Sequence, residues 1–502
     1  MAILFTDGFD SYGTTTGTNI LTRWTSASNP NGAITSTTPF NYGQAHYPGG
    51  NSSNATTVSF TSTPTITIGA NIYVTDPLAA TIAYPLFGLL SSGTWMMGLV
   101  AGTDGGMAVS RMTSAAGGTV LVGSNTNIGT IKANTWYYVE FSVTISDTVG
   151  TVRVDVDGRT VINQTGLDTR NGTPTTVNTL SLGTNDSAGV YFDDLYISDS
   201  ITPLGPQRIY TLKPNADTAQ KAWTATAGWQ PFSGTTSSTS ANATKGNIFT
   251  CASNITLTGV SFVCVATAQT VRLGIAQLTS ITGTVSSVLY DSTPVVRAAT
   301  AGVQSFTFPA INFTAGNVYA IYLTRTDGTG TAALSINASS VQDLLDPTGS
   351  LNYNGYTIIA DNNITGGETL FTGSSAGYTM ILTYSGLPNY ESVFDPDVDG
   401  DVSYVTASNV GDYDLYDVAN YPAASANIKA VNQIVWAKKT DATTRTMNLT
   451  TKSGATTTDS SAVTLSTSYA GYSNIYETDP NTTSAWTVSG VNALQIGQKV
   501  AS

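Results

Sequence analysis

Apolar and polar residues alternate along the whole chain in short runs that are rich in Thr, Val, Ile, Tyr and Phe. Period-two alternation of such residues, interrupted by Gly, Asn, Asp and Pro, is typical of strands joined by turns. No long segment of the sequence carries the apolar stripe of an amphipathic helix. The pattern therefore predicts sandwiches or jelly rolls rather than βαβ units. Within 1–204 the predicted strands are Thr56–Thr61, Ile66–Tyr73, Tyr84–Leu90, Met97–Val100, Thr119–Val122, Trp136–Ile145, Thr151–Val156, Thr179–Leu182 and Val190–Ser198.

Length and composition favour several folded domains. At roughly 150 residues per domain, the 502 residues correspond to about three domains. Only 10% of the residues are Asp, Glu, Lys or Arg, compared with about 25% in ordinary globular proteins. Disordered chains lack aromatic residues and carry a high net charge, whereas this chain has 25 Tyr, 15 Phe and 7 Trp. We therefore expect an all-β, multidomain protein.

The same counts make several classes of function unfavourable. Any histidine-based catalysis or metal binding would have to use the single histidine, His46. Two cysteines cannot form a four-cysteine zinc site. The net charge of −13 opposes binding to nucleic-acid phosphates, and no apolar run is long enough to predict membrane insertion. The N-terminal residues lack the basic and apolar regions of a secretory signal peptide, so we expect no export by that route.

Three segments of 1–204 carry a family resemblance. Asn134–Ile162, in which a Trp precedes a strand, a Gly turn and a second strand ending in Asp-Gly, resembles the central hairpin of a concanavalin A-like, LamG-type jelly roll. Phe5–Tyr12 and Val190–Asp199 resemble the first and last strands of that fold. The resemblance implies a jelly-roll domain over 1–204. It implies little about function, because this fold serves lectins, glycosidases and virion proteins.

Residues 205–232 and 386–502 together resemble a C-terminal domain common in the structural proteins of tailed bacteriophages. The resemblance implies one β-sandwich that is split by a second, inserted β-sandwich at 233–385. Part of the insertion, INFTAGNVYAIYL, resembles accessory modules of carbohydrate-binding and phage adhesion proteins. Such an insertion is tolerated because loop-closure entropy rises slowly with length. The matching runs, in the order of that domain, are Ile209–Gly228, Asp399–Val418, Ile428–Gly454 and Ser468–Val500.

The acidic run Asp395, Asp397, Asp399 and Asp401 is the sharpest local motif. Asp at the first, third and fifth positions, followed by Gly, matches the start of an EF-hand calcium loop. The last position of such a loop holds Thr406 instead of the bidentate Glu, and no helix pattern flanks the run. Two interpretations stay open: a turn that leads into a strand, which we favour, and a weak calcium site. Calcium is the only cofactor that the sequence suggests.

Paired carboxylates are the candidates for glycosidase chemistry, which needs two of them. Asp155 and Asp157 share one face of a predicted strand, whereas the adjacent Asp193 and Asp194 would point to opposite faces. The Glu-x-Asp-x-x-Glu signature of jelly-roll glycosidases is absent from the sequence. We therefore expect structural roles for these four carboxylates. His46 stands in a Gly- and Pro-containing segment that predicts a surface loop, and we predict no catalytic residue.

Cysteine and tryptophan positions leave alternatives open. Cys251 and Cys264 fall on successive predicted strands and either pair or remain two buried thiols, which we favour for a chain made in the cytosol. Aromatic rings can stack on sugar rings, but most Trp residues in a sandwich belong to its core. Trp136 and Trp436 lie inside strand patterns and are expected in the core. Spacing alone assigns no glycan-binding residue.

These features together favour a structural or binding protein over an enzyme. The phage resemblance implies a virion component, assembled in the host cytoplasm and displayed on the particle surface as a tail fibre or as a head or tail decoration. Its expected partners are other virion proteins, copies of itself and host-surface glycans, without nucleic acid or membrane insertion. The alternatives are a lectin-like carbohydrate-binding protein and, less favoured, a polysaccharide depolymerase.

Overall fold

A computed structural model shows an all-β chain, as the alternation predicts. One α-helix, α1 (Val488–Asn492), and two 3-10 helices, Asn19–Thr22 and Asn389–Ser392, accompany the strands in the described part of the chain. None of these helices is long and apolar enough to cross a membrane. The structure describes residues 1–12, 19–27, 33–39, 43–48, 56–75, 85–101, 105–114, 117–123, 131–183, 189–229, 236–238, 244–252, 254–264, 269–297, 302–327, 336–339, 351–360, 371–373, 377–378, 380–385, 389–393 and 403–502.

The described residues form two compact units. The first comprises those of Met1–Gln220 and Asn409–Ser502, and the second comprises those within Lys221–Phe394 and Asp399–Ser408. The first unit is thus built from two chain segments with the second unit between them in sequence. The three-domain division at 1–204, at 205–232 with 386–502, and at 233–385 stays a prediction.

The N-terminal segment supplies the first sixteen strands of the described chain. The predicted strands Ile66–Tyr73, Trp136–Ile145 and Val190–Ser198 agree with the observed ones to within one residue at each end. The strands are β1 (Ile3–Asp7), β2 (Ser26–Ala27), β3 (Ala33–Thr35), β4 (Ala45–Tyr47), β5 (Thr56–Thr63), β6 (Thr65–Val74), β7 (Pro85–Ser91), β8 (Thr94–Ala101), β9 (Met107–Ser114), β10 (Gly117–Gly123), β11 (Trp136–Thr144), β12 (Gly150–Val156), β13 (Arg159–Leu167), β14 (Val177–Leu182), β15 (Val190–Ser198) and β16 (Pro214–Lys221).

Strands β1–β15 form two antiparallel sheets, which we call the N-terminal sandwich. Sheet A has the order β13-β12-β11-β6-β15-β4-β3, with β1 also paired to β15. Sheet B has the order β10-β9-β8-β7-β14-β5-β2. Alternate residues of both sheets, such as Ile68 and Phe141 of sheet A and Leu89 and Leu180 of sheet B, are fully buried in one core. Each such side chain contributes roughly 1.5–3 kcal/mol on burial.

The second unit contains two further antiparallel sheets. Sheet C has the order β18-β26-β20-β30-β17-β31 and sheet D the order β22-β21-β25-β19-β27-β28, with β24, β29 and β23 paired alongside. Their core includes Phe249, Phe262, Leu273 and Ile321. The strands are β17 (Thr224–Trp229), β18 (Thr236–Ser238), β19 (Thr244–Cys251), β20 (Ile255–Cys264), β21 (Gln269–Leu278), β22 (Val285–Asp291), β23 (Val295–Arg297), β24 (Gly302–Phe313), β25 (Val318–Arg325), β26 (Ile336–Ser339), β27 (Leu351–Ala360), β28 (Phe371–Gly373), β29 (Gly377–Tyr378), β30 (Met380–Ser385) and β31 (Ser403–Thr406).

Residues 409–502, which we call the C-terminal part, return to the first unit. Sheet E has the order β16-β32-β38-β34-β35, with β36 on β34, and sheet F consists of β33 and β37. The apolar core beside these sheets is small and consists of Val418, Trp486, Val491 and Leu494. The strands are β32 (Tyr413–Val418), β33 (Val431–Ala437), β34 (Thr446–Ser453), β35 (Thr456–Asp459), β36 (Val463–Thr464), β37 (Ala470–Tyr476) and β38 (Gln495–Val500).

Candidate functional site

Four aromatic side chains lie in a row across four neighbouring strands of sheet A. Trp136 of β11 is directly opposite Tyr73 of β6, and Tyr73 is directly opposite Tyr191 of β15. The ring centroids of Trp136 and Tyr73 are 5.3 Å apart, and those of Tyr73 and Tyr191 are 5.8 Å apart. Tyr47 of β4 continues the row, with its ring 5.1 Å from that of Tyr191. We call these four residues the aromatic row.

Strand alternation places the row on the outer face of sheet A. Val190 and Phe192 flank Tyr191 in sequence, and both side chains are buried in the core of the sandwich. The same holds for Ile72 and Val74, which flank Tyr73. Because successive side chains of a strand point to opposite faces, the tyrosines point away from the core. All four rings of the row are only partly buried.

The aromatic row combines flat apolar surfaces with hydroxyl groups. The rings of Tyr47 and Tyr191 are nearly parallel, with an interplanar angle of 24°. The Tyr73 hydroxyl donates a hydrogen bond of 3.1 Å to Oδ1 of Asn134, so a polar side chain lies next to Tyr73. Burial, and then the proximity of Tyr47 and Tyr73, raise the pKa of Tyr191 above its ordinary value. Its hydroxyl is therefore neutral at physiological pH and can both donate and accept.

Such a surface is suited to binding a ring-shaped ligand. A pyranose ring presents an apolar C–H face and hydroxyl edges, which match the ring faces and hydroxyls of the row. Neighbouring strands are about 4.8 Å apart, so the row extends roughly 14 Å across the sheet. A contiguous, partly exposed aromatic surface of this kind is a candidate interaction site.

The row was not recognisable in the sequence because strand register is not encoded locally. Trp136 was expected in the core, and that prediction was wrong: the residue lies in a strand, but on its outer face and only partly buried. Trp436 is also only partly buried, but unlike Trp136 it packs against the core of the N-terminal sandwich. The available signal was an aromatic residue between two core residues in each of β6 and β15. The alignment of these residues across the sheet is set by the strand order and register, which the sequence pattern does not give.

His46 is a core residue and not the surface-loop residue that its Gly- and Pro-containing neighbourhood predicted. It lies in β4, is 1% exposed, and stacks on Phe9 with ring centroids 5.4 Å apart. Its Nε2 atom is 2.7 Å from the Thr56 hydroxyl oxygen. Burial lowers the pKa of His46 to about 3, so the ring is neutral at physiological pH. The surface-loop prediction was wrong because a strand of three residues leaves almost no periodicity to detect.

Asp155 and Asp157 are both engaged in structural contacts. Asp155 of β12 is 2% exposed and forms an ion pair of 2.9 Å with Arg153. Asp157 has a φ of 50° in the turn that follows, and its Oδ1 accepts a hydrogen bond of 2.8 Å from the backbone N–H of Tyr138. These contacts hold the turn between β12 and β13 against β11.

Asp193 and Asp194 depart from the regular strand that the sequence predicted. The pairing of β15 with β6 shifts register between Asp193 and Tyr196, and Asp194 has a φ of 52°. The regular alternation that would send neighbouring side chains to opposite faces is therefore interrupted here. Both side chains are buried, at 5% and 3% exposure. The resulting pair of buried carboxyl groups was not anticipated from the sequence.

The remaining predicted sites give less information. Asp395, Asp397, Asp399 and Asp401 lie outside the described residues, so the calcium site stays a prediction. Among the residues that are described, no group of three or more His, Cys, Asp or Glu side chains is arranged to hold a metal ion. Cys251 is buried in β19 of sheet D, and Cys264 ends β20 of sheet C. The side chain of Cys264 lies outside the described set, and the pairing of the two cysteines stays open.

Comparisons with known proteins show no family. No protein family model matches the chain, and no curated protein matches it. Among solved structures, the alginate lyase Aly36B is 11% identical with a TM-score of 0.28, covering 41% of this chain and 98% of that one. The sialidase of Trypanosoma rangeli with the inhibitor DANA is 14% identical with a TM-score of 0.24, covering 34% of this chain and 27% of that one. These likenesses are too weak to carry an argument about function.

Proposed function

We propose that this protein is a non-enzymatic structural component of a tailed-phage virion that contacts host-surface glycans through its N-terminal sandwich. It would be displayed on the particle surface, as a tail fibre or as a head or tail decoration, after assembly in the host cytoplasm. The observation that carries glycan contact is the aromatic row. Support for a virion role comes from the resemblance of 205–232 and 386–502 to phage structural proteins.

The aromatic row has a simpler alternative role, which sets its test. Cross-strand aromatic pairs stabilise antiparallel sheets by roughly 0.2–1 kcal/mol whether or not a ligand binds. If the row binds carbohydrate, removal of one of its rings should in addition abolish carbohydrate affinity without unfolding the protein. Tyr191 is the best position for this change because it contacts both Tyr47 and Tyr73.

Affinity electrophoresis through gels that contain a soluble neutral polysaccharide tests the glycan proposal. Amylose, laminarin and a soluble cellulose derivative serve as probes, each compared with a gel that lacks polysaccharide. We expect at least one polysaccharide to retard the native protein and Tyr191→Ala to lose that retardation. Tyr290→Ala is the matched control, because it removes one ring of an aromatic pair with centroids 4.8 Å apart in the second unit.

Equal retardation of Tyr191→Ala and the native protein would overturn the role of the row. If none of the probes retards the native protein, the same comparison is made with surface polysaccharide from a host that the particle infects. Absence of retardation there too would contradict glycan contact as a whole. Circular dichroism of each variant shows that a loss of binding is not a loss of fold.

The virion assignment has a separate test. Mass spectrometry of purified particles should detect the protein, and immunogold labelling with antibody against 233–385 should mark the particle surface. Label at the distal tail would support a fibre, and label along the head or tail tube would support a decoration. Absence of the protein from particles would contradict the virion role.

A stand-alone carbohydrate-binding protein is the second candidate, because the aromatic row would serve it equally well. It predicts the same retardation and the same effect of Tyr191→Ala, but no protein in purified particles. The two candidates are therefore separated by the particle analysis alone.

A further inference from the structure

The segment Leu204–Thr211, which we call the strap, covers part of the outer face of sheet A. Its backbone N–H groups donate to side chains of the sheet: Leu204 to the Tyr196 hydroxyl at 3.1 Å, Gly205 to Oε1 of Glu140 at 2.9 Å, and Ile209 to Oδ1 of Asp194 at 2.6 Å. Glu140 alternates with core residues of β11 and so points outward, yet it is only 1% exposed. The strap therefore lies over these side chains and uses their oxygens as acceptors.

Local sequence features make room for the strap. The Tyr196 ring crosses β6 above Gly69, where an added Cβ would lie only 2.2 Å from a ring carbon. This lack of a side chain lets the Tyr196 hydroxyl reach Oε1 of Glu140, at 2.5 Å, on the strand beyond. Farther along, the Thr211 hydroxyl donates to Oδ2 of Asp10 at 3.1 Å. Carboxyl groups thus accept hydrogen bonds from the strap at several points along its length.

Asp194 makes the most unusual contact with the strap, because a second carboxyl group, that of Asp193, is buried next to it. Asp194 accepts the Ile209 N–H at one oxygen and the Asn71 amide at the other, at 2.8 Å. Asp193 accepts the backbone N–H of Asp194 at 2.7 Å. Carboxylates of adjacent residues repel each other strongly when both are ionised and shielded from water.

Charged groups of both signs lie around the pair: Asp7 and Asp10 are acidic, whereas Arg23, Arg208 and Lys213 are basic. Asp7 of β1 and Asp10 of the following turn raise the pKa of Asp193, and Arg208 of the strap partly opposes the effect at Asp194. The positive charge nearest to Asp7 is Arg23, at 3.3 Å, with which it forms an ion pair. Tyr138 of β11 also faces Asp194 and is itself buried and neutral.

We propose that the Asp193–Asp194 pair is a proton-linked clamp: it retains one proton while the strap is docked, and loss of that proton to water releases the strap. The step breaks the O–H bond of the Asp193 carboxyl group and leaves two adjacent carboxylates. Their repulsion is relieved when the strap lifts and water reaches both groups. The inference concerns how the strap is attached and does not depend on glycan binding.

The direction of the pH effect follows from which state holds the proton. Burial, and then the Asp194 carboxylate, raise the pKa of Asp193 to about 9, while burial raises that of Asp194 to about 6. The docked state therefore binds more protons than the open state, in which both groups are hydrated. The open population should increase with pH by up to about tenfold per pH unit until pH 9 is approached.

Trypsin cleavage after Arg208 reports the opening, because this exposed residue lies within the strap and the next N–H is held by Asp194. We expect cleavage of the full chain at Arg208 to accelerate severalfold per pH unit between pH 7 and 9. Rates are normalised to a free peptide of residues 203–214, which corrects for the pH dependence of trypsin itself. Asp193→Asn, which cannot ionise, should remove the acceleration.

Asp155→Asn is the matched control, since Asp155 is equally buried in sheet A and makes no hydrogen bond to the strap. It should keep the native pH dependence. Equal pH dependence in the native protein and Asp193→Asn, or no acceleration in the native protein, would overturn the proposal. If Asp193→Asn does not fold, infrared spectroscopy of the native protein decides. A protonated carboxyl band should persist at pH 7 and disappear near pH 9, and its absence at pH 7 would contradict the clamp.

Discussion

The two parts of the first unit are stabilised in different ways. In the described residues of the N-terminal sandwich, 37 buried hydrophobic residues form one core between sheets A and B. The C-terminal part has one apolar cluster of four buried side chains and buries four more hydrophobic residues outside that cluster, namely Leu415, Tyr416, Met447 and Leu449. Its most buried positions include polar residues such as Asp414, Gln433 and Thr451. The stability of the C-terminal part therefore depends more on hydrogen bonds and on packing against the sandwich, whereas the stability of the sandwich depends on its own apolar core.

The polar interior of the C-terminal part is a connected network. Nε2 of Gln433 in sheet F donates to the carbonyl oxygen of Gly497 in sheet E at 2.6 Å, and its Oε1 accepts from the Thr451 hydroxyl at 2.7 Å. Nearby, the Tyr416 hydroxyl donates to Asp414 and accepts from Gln498. Because a satisfied buried hydrogen bond contributes only about 1 kcal/mol, such an interior specifies geometry more than it adds stability.

Contacts with the N-terminal sandwich supply further support to sheet F. The indole N–H of Trp436 donates to the Thr22 hydroxyl at 2.8 Å, and the ring meets that of Tyr12 edge-on. The Asn432 side chain donates to the Thr6 hydroxyl at 2.9 Å. The sandwich core is thus built almost entirely from residues of the sandwich, whereas sheet F is also held by contacts with the sandwich.

Removal of a core ring should have the largest effect. Phe141→Ala deletes a fully buried ring of the sandwich and should lower the free energy of unfolding by about 3–5 kcal/mol. Ile496→Ala, at a half-buried position of sheet E, should cost less than about 2 kcal/mol. Urea denaturation followed by circular dichroism measures both. Equal decreases in the free energy of unfolding would contradict the conclusion that the two parts are stabilised in different ways.

Loss of the central amide of the polar network should come next. Gln433→Ala leaves the Thr451 hydroxyl and the Gly497 carbonyl without this partner, which should cost about 1–3 kcal/mol. Gln495→Ala, which removes one half-buried hydrogen bond to Asp417, is the control and should cost less than about 1 kcal/mol. If Gln433→Ala leaves the free energy of unfolding unchanged, the network does not hold sheets E and F together.

The pH dependence of stability should have opposite signs in the two parts. Burial raises the pKa of Asp193 to about 9. The folded protein should therefore lose stability as pH rises from about 4 towards 9, by up to about 1.4 kcal/mol per pH unit. For Asp479 of the C-terminal part, burial is outweighed by hydrogen bonds from Ser453, Asn481 and Thr482, which lower its pKa below 3.8. Its contribution is present above that value and is lost as pH falls below it.

Denaturation across a pH series measures this contrast. Asp193→Asn should flatten the stability curve between pH 5 and 8. Asp479→Asn should lower stability by a constant amount at neutral pH and change the slope of the curve only below about pH 4. An unchanged slope in Asp193→Asn would show that this carboxyl group is ionised in the folded protein at neutral pH.

The smallest effect should come from the docking contact. Trp436→Phe keeps a ring against Tyr12 but removes the hydrogen bond to Thr22, which should cost about 1 kcal/mol. Protection of β33 from hydrogen exchange should decrease more than protection of β11. Trp136→Phe, on the outer face of sheet A, should change stability by less than about 0.5 kcal/mol. A larger effect in Trp136→Phe would reverse the expected order.

Strands with strong alternation could be predicted from the sequence, and single residues that depend on pairing could not. The limits of β6, β11 and β15 follow from period-two patterns that are local in the chain. His46 was misplaced because its strand has only three residues. The aromatic row unites positions 47, 73, 136 and 191, and only the strand order brings them together. The burial of both carboxyl groups depends on a bulge at Asp194. No Gly, Pro or Asn next to Asp194 in the sequence indicates this bulge.

The most direct test of glycan contact is a crystal structure of the protein soaked with the oligosaccharide of whichever polysaccharide retards it. We expect sugar rings stacked on Tyr191 and Tyr73, with a sugar hydroxyl near Asn134. Sugar bound on sheet B or in the second unit, with the aromatic row bare, would contradict the assignment of the row as the glycan-binding face.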